Sequence, residues 1–379
     1  MKRLAFLPLL ALPMAAVTPA ASATTLAPLV AAQSSAASGQ YIVTVKSGDA
    51  RRSDAMDRVP QRAITHVFKA VTNGFSARLD AAQLDRLRRD PNVEKVTQAT
   101  TVHTMETQSN ADWGLDRLDA AKGLDQKYTY QHTGKGVTAY VIDTGIDTSD
   151  SDFGGRAAVG YDATGGDGKD CNGHGTHVAG TIGGKTYGVA KDVTLKAVRV
   201  LDCQGSGTDA DVVAGMDWVA QHAAKPAVAN MSLGGAKSSS IDNAAKKLTG
   251  AGVFLAVAAG NESADACNGS PSGAQGVLAV AASDKSDASA SFTNFGKCVQ
   301  VYAPGVDITS DWLNGGTKTI SGTSMATPHV VGVAALYKEA NGDGSESAVT
   351  SWITSHAVKD AISGVPAGTP NLLLNSGGL

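Results

Sequence analysis

Residues 137–147, "VTAYVIDTGID", indicate the fold class of this 379-residue chain. The stretch is largely apolar up to Asp143, as is typical of a strand buried on both faces of a sheet. Helix-like runs at 209–224 and 239–250 separate further strands of the same character. These strands lie at 194–200, 227–232, 252–259, 276–283 and 298–304. The sequence therefore predicts an α/β fold, a three-layer and mostly parallel sheet with helices on both faces.

Three polar side chains fall where predicted strands end or helices begin. Asp143 ends its strand, where a lone buried carboxylate is costly unless it is hydrogen-bonded. His174 lies in "NGHGTHVAG" (172–180) and Ser324 in "SGTSMATPHVVG" (321–332), each at the start of a predicted helix. Because ligands bind outside the carboxyl ends of parallel strands, we expect a site there. An orienting aspartate, a basic histidine and a nucleophilic serine are the parts of acyl-transfer catalysis.

Neighbouring residues allow other interpretations. Helix capping alone would explain a serine such as Ser324, but the accompanying aspartate and histidine favour a nucleophile. We interpret His177 and His329 as packing residues. We expect Pro328 to cost little, because it lies near the helix start, where N–H groups lack intrahelical acceptors.

The motifs "VIDTGID", "GHGTHVAG" and "GTSMATPHV" occur in the order Asp, His, Ser. Over about residues 108–375 the chain resembles the subtilisin-like serine proteases, in particular the proteinase K and aqualysin branch. The resemblance implies that Asp143 orients the imidazole, that His174 is the general base and that Ser324 is the nucleophile. It also makes Asn261, in "AVAAGNES", a donor to the oxyanion, although Gly260–Asn261 could be only a turn.

The resemblance also implies a groove that binds an extended peptide as an added strand. Its edge and pocket walls would be Gly205, Ser206, Gly207, Ser232, Leu233, Gly234, Ala258, Ala259 and Gly260. These small residues suggest a roomy apolar pocket without a charge, and hence broad cleavage after apolar or aromatic residues. Asp209 stands where some relatives carry a tyrosine, which leaves the preference of an outer pocket open.

The chain has four cysteines, Cys171, Cys203, Cys267 and Cys298. Because its N-terminus indicates export, as described below, this even number favours two disulfides, and three pairings remain open. Zinc is disfavoured because no C-x-x-C pair or suitably spaced histidine accompanies them. The resemblance implies the pairs Cys171–Cys203 and Cys267–Cys298.

Calcium is the cofactor that the resemblance implies, in a structural role. Its ligands would be the Asp307 side chain and the main-chain carbonyls of Gln275 and Val277. A second set, Asp116, Asp119 and Asp125, is disfavoured because Ala120 replaces a glutamine of relatives. The alternative for both sets is ordinary surface carboxylates.

The N-terminal third differs in character. Residues 1–23 indicate an export signal rather than a membrane anchor, because Pro8, Pro13 and Pro19 interrupt the apolar run. Residues 24–39 suggest a disordered leader. Strands at 40–48, 72–79 and 93–102, with helices at 53–68 and 81–89, predict a small α+β, ferredoxin-like unit over about 40–103. The resemblance makes 24–106 an inhibitory propeptide and 107–379 the peptidase domain.

Charge is divided unevenly between these parts. Residues 40–106 hold 11 Lys and Arg against 8 Asp and Glu, whereas residues 107–379 hold 19 against 27. An acidic exported domain argues against nucleic acid as a partner, and the basic segment could dock on the acidic one.

The sequence therefore predicts a secreted serine endopeptidase, made as a self-processing zymogen that is cut between about Met105 and Gln108. We expect the propeptide's end to lie in the cleft as the first substrate. Expected partners are peptide substrates and the propeptide, with no membrane after signal removal, and we expect a monomer. The rival functions are a serine esterase, which lacks support because G-x-S-x-G is absent, and a catalytically inactive binding module.

Overall fold

The computed structural model describes residues 26–32, 36–70, 72–100 and 105–379. The chain divides into two compact units, residues 1–101 and 102–379. The predicted export signal lies outside the described residues. In the described part of the chain, no helix has both the length and the apolar character needed to cross a membrane.

The first unit is a five-stranded sheet with two helices. Its elements are β1 (Leu29–Val30), β2 (Ala36–Val45), α1 (Asp49–Met56), β3 (Ile64–Phe68), β4 (Gly74–Arg78), α2 (Ala81–Arg88) and β5 (Val93–Thr100). The strand order is β1-β5-β2-β4-β3, with β2 antiparallel to both β4 and β5. Val43, Phe75 and Leu87 are fully buried in its core. The predicted ferredoxin-like arrangement is confirmed.

Two details of this unit differ from the prediction. The helix predicted over 53–68 ends at Met56, and the second half forms β3 instead. Pro60 cannot continue a helix, and "ITHVF" is rich in residues that favour strands. Regular structure also begins before residue 40, because β1 pairs in parallel with β5 through Leu29 and Val96.

The strands described in the second unit are β6 (Glu106–Ser109), β7 (Lys127–Tyr130), β8 (Thr138–Asp143), β9 (Ala157–Asp162), β10 (Thr194–Arg199), β11 (Ala227–Met231), β12 (Gly235–Ala236), β13 (Phe254–Ala258), β14 (Gly269–Ser270), β15 (Leu278–Ser283), β16 (Val299–Pro304), β17 (Ile308–Trp312), β18 (Gly316–Ile320), β19 (Val358–Lys359) and β20 (Leu372–Leu373). Nine of these strands form one sheet, in the order β19-β20-β16-β15-β13-β11-β8-β10-β9. The helices of this unit are α3 (Trp113–Asp119), α4 (His174–Gly183), α5 (Asp209–His222), α6 (Ser239–Gly250), α7 (Thr323–Asn341) and α8 (Glu346–His356).

Both faces of this sheet are buried. Along β8, Ala139 and Val141 pack into the core that includes α4 and α7, whereas Tyr140 and Ile142 pack into the core that includes α5 and α6. Successive side chains of a strand point to opposite faces, so a strand between two layers must be apolar on both. The predicted three-layer, mostly parallel sheet is confirmed, and each of its six predicted strands is present.

Two disulfides join Cys171 to Cys203 and Cys267 to Cys298, in agreement with the implied pairs. The paired cysteines are 32 and 31 residues apart in the chain, and closing loops of this length stabilises a fold by about 3 to 4 kcal/mol in the chain-entropy model. Cys171 precedes His174 by three residues, and Cys203 precedes the segment 205–207 by two. The first disulfide therefore ties together two segments that border the candidate site.

A buried acidic group lies at the far end of α4 from His174. Asp311, in β17, is only 3% exposed. Burial, with the nearby charges of Asp152 and Asp150, raises the pKa of Asp311 to about 8. Near neutral pH, Asp311 is therefore protonated, and its carboxyl carries no charge beside the negative charges of Asp152 and Asp150.

This raised pKa predicts that stability falls as the pH rises from about 4 to about 8. The folded state keeps the Asp311 proton that the unfolded chain releases above about pH 4, so stability falls as pH rises towards 8. Asp311→Asn keeps an uncharged side chain of similar shape at this position, so it removes the part of the pH dependence that comes from Asp311. We expect it to raise the thermal midpoint between pH 7 and 9, by about 2 to 4 °C for each kcal/mol gained.

The measurement is thermal unfolding of inhibitor-blocked protein between pH 5 and 9. Asp217→Asn, which removes an exposed carboxylate, is the matched control and should leave the pH dependence unchanged. A lower midpoint for Asp311→Asn at pH 8 would contradict the prediction.

Candidate active site

The carboxylate of Asp143 lies fully buried at the carboxyl end of β8. Its Oδ1 accepts hydrogen bonds from the Thr144 N–H at 2.8 Å and from His174 Nδ1 at 2.7 Å. A buried charge is tolerated only when such partners replace water. The chain thus brings the predicted aspartate and histidine together, although 31 residues separate them in sequence.

His174 is the first residue of α4, directly after Gly173. Burial alone would lower the pKa of His174, but the charge and hydrogen bond of Asp143, aided by the charge of Asp170, raise it above its ordinary value of 6.5. Because the Asp143 carboxylate accepts from Nδ1, the neutral ring carries its proton there. Nε2 is then free to accept a proton.

Ser324 is the second residue of α7 and exchanges two hydrogen bonds with Ser232. Ser324 Oγ donates to the Ser232 carbonyl at 3.0 Å, and Ser232 Oγ donates to the Ser324 carbonyl at 2.8 Å. The second bond, from Ser232 Oγ to the Ser324 carbonyl, explains how α7 tolerates Pro328. Pro328 is the sixth residue of α7, beyond the first turn, so the expectation that it lies where no acceptor is lost is wrong. It leaves the Ser324 carbonyl without its helical donor, and Ser232 replaces that donor.

Ser324 and His174 border adjoining cavities. Ser324 lines one cavity and His174 the other, and both cavities include the segment 233–236 in their walls. The hydroxyl of Ser324 donates to the Ser232 carbonyl in this structure, so this hydrogen bond must be released before the proton can pass to His174. Catalytic hydrogen bonds commonly tighten only when substrate is bound.

Asn261 has its side-chain orientation fixed by the start of α7. Its Oδ1 accepts from the Thr323 N–H at 2.8 Å and from Thr323 Oγ1 at 3.0 Å. With the oxygen engaged, the amide Nδ2 is the group left to donate. Ser324 has the next backbone N–H at this helix start, where N–H groups lack intrahelical acceptors. Both donors belong to the wall of the cavity that contains Ser324.

The cavity beside Ser324 has a volume of about 420 Å³. Its walls include the expected Leu233, Gly234, Ala258, Ala259 and Gly260. They also include two carboxylates, and the expectation of a pocket without a charge is therefore wrong. The two acids are Glu262 and Asp265.

Glu262 folds back over Gly260. Its Oε2 accepts from the Asn261 N–H at 2.9 Å and from Asn294 Nδ2 at 2.8 Å. A Cβ on Gly260 would lie only 2.6 Å from this oxygen. Both hydrogen bonds involve Oε2, so Oε1 remains available to a ligand. Position in the chain was the signal that sequence reasoning missed, since Glu262 directly follows Asn261.

The second cavity, of about 520 Å³, contains the expected groove residues. Its walls include His174, Gly205, Ser206, Gly207, Asp209, Ser232, Leu233 and Gly234. Asp209 begins α5, directly after the capping residue Thr208. The structure thus brings the predicted edge segment beside the predicted base.

The two histidines that lie beside the motif residues, His177 and His329, are packing residues. His177 is fully buried, and its Nε2 lies 3.1 Å from the carbonyls of both Ile308 and Lys318. Burial lowers the pKa of His177 to about 4. His329 is 1% exposed, its Nδ1 donates to the Met325 carbonyl, and burial likewise lowers its pKa to about 4.

The expected calcium ligands do not converge. Gln275 and Val277 precede β15, whereas Asp307 follows β16. Because β15 and β16 run in parallel, with Ser283 beside Pro304, these residues lie at opposite ends of the sheet. Instead, Asp307 Oδ1 accepts from Ser321 Oγ. The assignment of Asp307, Gln275 and Val277 to one calcium site is wrong, because a local match ignored the strand between them.

The second acidic set also has other partners. Asp116 accepts from the Asp125 and Gln126 N–H groups, and Asp119 accepts from the Thr129 N–H. No group of three Asp, Glu, His or Cys side chains is placed to hold a metal within the described ranges. The residues implied for the first site, Asp307, Gln275 and Val277, therefore do not fit one calcium ion.

The expected cleavage segment lies away from the cleft. β6 (Glu106–Ser109) pairs with β7, and Gln108 Nε2 donates to the Thr186 carbonyl at 2.9 Å. Thr186 follows the end of α4, which begins at His174 and is about 15 Å long at 1.5 Å per residue. Pairing with β7 therefore holds residues 106–109 away from His174. The expectation that the propeptide's end lies in the cleft stays a prediction, because residues 101–104 lie outside the described residues.

Comparison with known proteins identifies the family. Residues 134–374 match the Subtilase family, and residues 33–105 match Peptidase inhibitor I9. The chain is 49% identical over 316 residues to the "Extracellular serine proteinase" of Thermus sp. (strain Rt41A), covering 82% of this chain and 77% of that protein. It is 43% identical over 357 residues to "Proteinase R" of Parengyodontium album, covering 92% and 91%.

A solved structure shows the same fold. The crystal structure of a cold adapted subtilisin-like serine proteinase matches with a TM-score of 0.70 and 52% identity, and the match covers 71% of this chain and 99% of that chain. The family match agrees with the family that the sequence resembles, and this neighbour agrees with the observed fold. The chain belongs to the subtilase family of serine endopeptidases and carries an I9 inhibitor segment ahead of its protease domain.

Proposed function

We propose that Asp143, His174 and Ser324 hydrolyse peptide bonds through an acyl-enzyme in this protein. The observation that carries the proposal is the 2.7 Å hydrogen bond between His174 Nδ1 and the buried Asp143, at the sheet edge where Ser324 begins α7. A carboxylate held against Nδ1 keeps Nε2 ready to accept a proton. It also stabilises the imidazolium that forms.

The reaction has two halves. His174 Nε2 takes the proton of Ser324 Oγ as Oγ bonds to the substrate carbonyl carbon. The oxyanion that forms accepts hydrogen bonds from Asn261 Nδ2 and the Ser324 N–H. His174 then gives its proton to the leaving amine as the C–N bond breaks. Water repeats the sequence on the ester, which releases the acid and restores Ser324. Oxyanion donors of this kind typically contribute about 100- to 1,000-fold to turnover.

The groove supports binding of an extended peptide. Gly205, Ser206 and Gly207 line the second cavity together with residues 232–236, so an extended peptide bound there would lie between these two chain segments. The cavity beside Ser324 would take the residue before the scissile bond. Its apolar walls favour apolar and aromatic side chains, and Glu262 makes it more tolerant of a cation than of an anion.

The protein is proposed to be secreted and to mature by its own cleavage between about Met105 and Gln108. A relative named an extracellular proteinase and the I9 match support this. Since β6 pairs with β7 at a distance from His174, cleavage in the molecule's own cleft requires residues 106–109 to be unpaired from β7 at that moment. Pairing then withdraws the new N-terminus from the cleft. We further propose that the released segment inhibits the monomeric enzyme until it is degraded, helped by its opposite net charge.

The triad assignment is tested by alanine substitution. Ser324→Ala and His174→Ala should each lower casein hydrolysis by several orders of magnitude while the fold is retained, because the three side chains act as one unit. His177→Ala should keep most of its turnover per folded molecule, since His177 packs against the β17–β18 hairpin. Circular dichroism and active-site titration report folding and competence. A folded His177→Ala protein without turnover, beside an active His174→Ala, would refute the assignment.

The pocket assignment is tested with peptides that vary the residue before the scissile bond. We expect kcat/KM to be highest for Phe and Leu, lower for Lys, and lowest for Asp. Glu262→Gln should reduce the ratio of Lys to Phe cleavage by about two- to fivefold, the range expected for a solvent-exposed ion pair.

Asp209→Asn is the matched control, since it removes one carboxylate from the other cavity. It should leave the Lys-to-Phe ratio unchanged. A wild-type profile dominated by basic residues, or an unchanged ratio in Glu262→Gln, would overturn the pocket assignment.

Self-processing is tested with the Ser324→Ala precursor in a protease-deficient host. Its mass should show an intact junction, while the wild type and the exposed Ser291→Ala control are cut between about Met105 and Gln108. If Ser324→Ala is cut at the same bond and rate, another enzyme matures the protein.

A further inference from the structure

Asp170 connects the two segments that carry Asp143 and His174. Its Oδ1 accepts from Thr144 Oγ1, the Asn172 N–H and the Gly173 N–H, each at 2.9 Å. Its Oδ2 accepts from the Thr176 N–H at 2.9 Å and Thr176 Oγ1 at 2.6 Å. Five donors thus converge on one half-buried carboxylate. Three of them are main-chain N–H groups that surround the first turn of α4.

Thr144 relays this contact to the catalytic aspartate. Its N–H donates to Asp143 Oδ1 at 2.8 Å, and its hydroxyl donates to Asp170. The same hydroxyl accepts from the Gly175 N–H at 2.9 Å. One threonine therefore contacts Asp143, Asp170 and the residue after His174. Its hydroxyl proton can point only one way, and the carboxylate acceptor determines that direction.

Close packing leaves this junction little freedom. A Cβ on Gly175 would lie 2.1 Å from the Gly145 carbonyl oxygen, so the helix start lies directly against the loop after β8. The Asp170 N–H also donates to the Ile146 carbonyl. A shift of Asp170 would consequently move α4 relative to β8, and with it His174 relative to Asp143.

We propose that Asp170 is a positioning residue for the reaction. It fixes the start of α4 against the end of β8 through Thr144, and its negative charge stabilises the positive charge that His174 gains when it takes the Ser324 proton. The inference rests on the proposed triad. It adds a second carboxylate that acts on His174 without touching the imidazole.

The charged and titratable groups around His174 are few. Asp143 faces it from β8, Asp170 from the preceding loop, and His177 from the next turn of α4. His177 is neutral through the working range because its pKa is about 4. Arg199 donates to the carbonyl of Lys169, the residue before Asp170. Removal of the Asp170 charge therefore leaves Asp143 as the carboxylate that favours imidazolium.

The test compares Asp170→Asn with Asp147→Asn. Asp147 lies in the loop after β8, and its side chain bonds to Ser149 and to the Asn314 N–H. Only its main-chain N–H contacts the junction, at Thr176 Oγ1, so Asp147→Asn removes an equal charge and keeps the junction's hydrogen bonds. Asp170→Asn places an amide N–H against N–H donors. We expect kcat to fall about 10- to 100-fold, as for a small misplacement of catalytic groups, with KM changed less than about twofold. The acid limb of kcat/KM, the rise in kcat/KM on the acidic side of the pH profile as His174 loses its proton, should move to lower pH because the Asp170 charge no longer favours protonated His174.

Thr144→Val and Thr144→Ser separate geometry from charge. Thr144→Val keeps the Asp170 charge, so it should lower kcat without moving the acid limb, and Thr144→Ser should restore kcat. This pair decides the geometric half even if Asp170→Asn does not fold. Asp170→Glu keeps the negative charge. The acidic side of its kcat/KM profile should therefore stay at the wild-type pH, in contrast to that of Asp170→Asn.

The outcomes distinguish this inference from the proposed function. If Asp170→Asn keeps the wild-type acid limb, or Thr144→Val keeps the wild-type kcat, Asp170 is not a positioning residue, and the triad stands. An active Ser324→Ala enzyme would instead overturn the triad. Asp147→Asn should match wild type in both kcat and the limb, and a shift in that control as large as that of Asp170→Asn also overturns the inference.

Discussion

A carboxylate without access to water at the end of β8 is the constraint on which the rest of the site depends. Asp143 is fully buried, so its charge persists only where hydrogen-bond donors replace water. Thr144 and His174 provide them, and His174 does so only if α4 begins at the end of β8. The parallel sheet makes this contact, because connections between its strands return to the same edge.

Ser324, the proposed nucleophile, depends on a proline inside α7. Pro328 removes a donor from α7, and the carbonyl that is left belongs to Ser324 itself. Ser232 fills the gap and accepts the Ser324 hydroxyl in return, so the start of α7 is joined to the segment that follows β11. The same segment borders both cavities. A helix irregularity therefore helps to hold the nucleophile beside the groove.

Acidic side chains tune this protein at three places with three effects. At Glu262 a carboxylate borders the pocket, at Asp170 one sits behind the histidine, and at Asp311 one is buried at the cost of alkaline stability. Environment sets these roles, because exposed, half-buried and fully buried carboxylates meet different amounts of water. An acidic net charge alone would not have distinguished them.

The sequence by itself determined where six strands of the large sheet lie along the chain, the three-layer class and the motifs that hold Asp143, His174 and Ser324, because these depend on local periodicity and residue chemistry. Only the tertiary structure decided that Asp307 lies a strand's length from Val277, that residues 106–109 pair with β7, and that Glu262 enters the pocket. It also showed that the donor lost at Pro328 is replaced by Ser232. Each of these depends on the register of elements far apart in the chain, and register is set by packing of the whole sheet rather than by any local pattern.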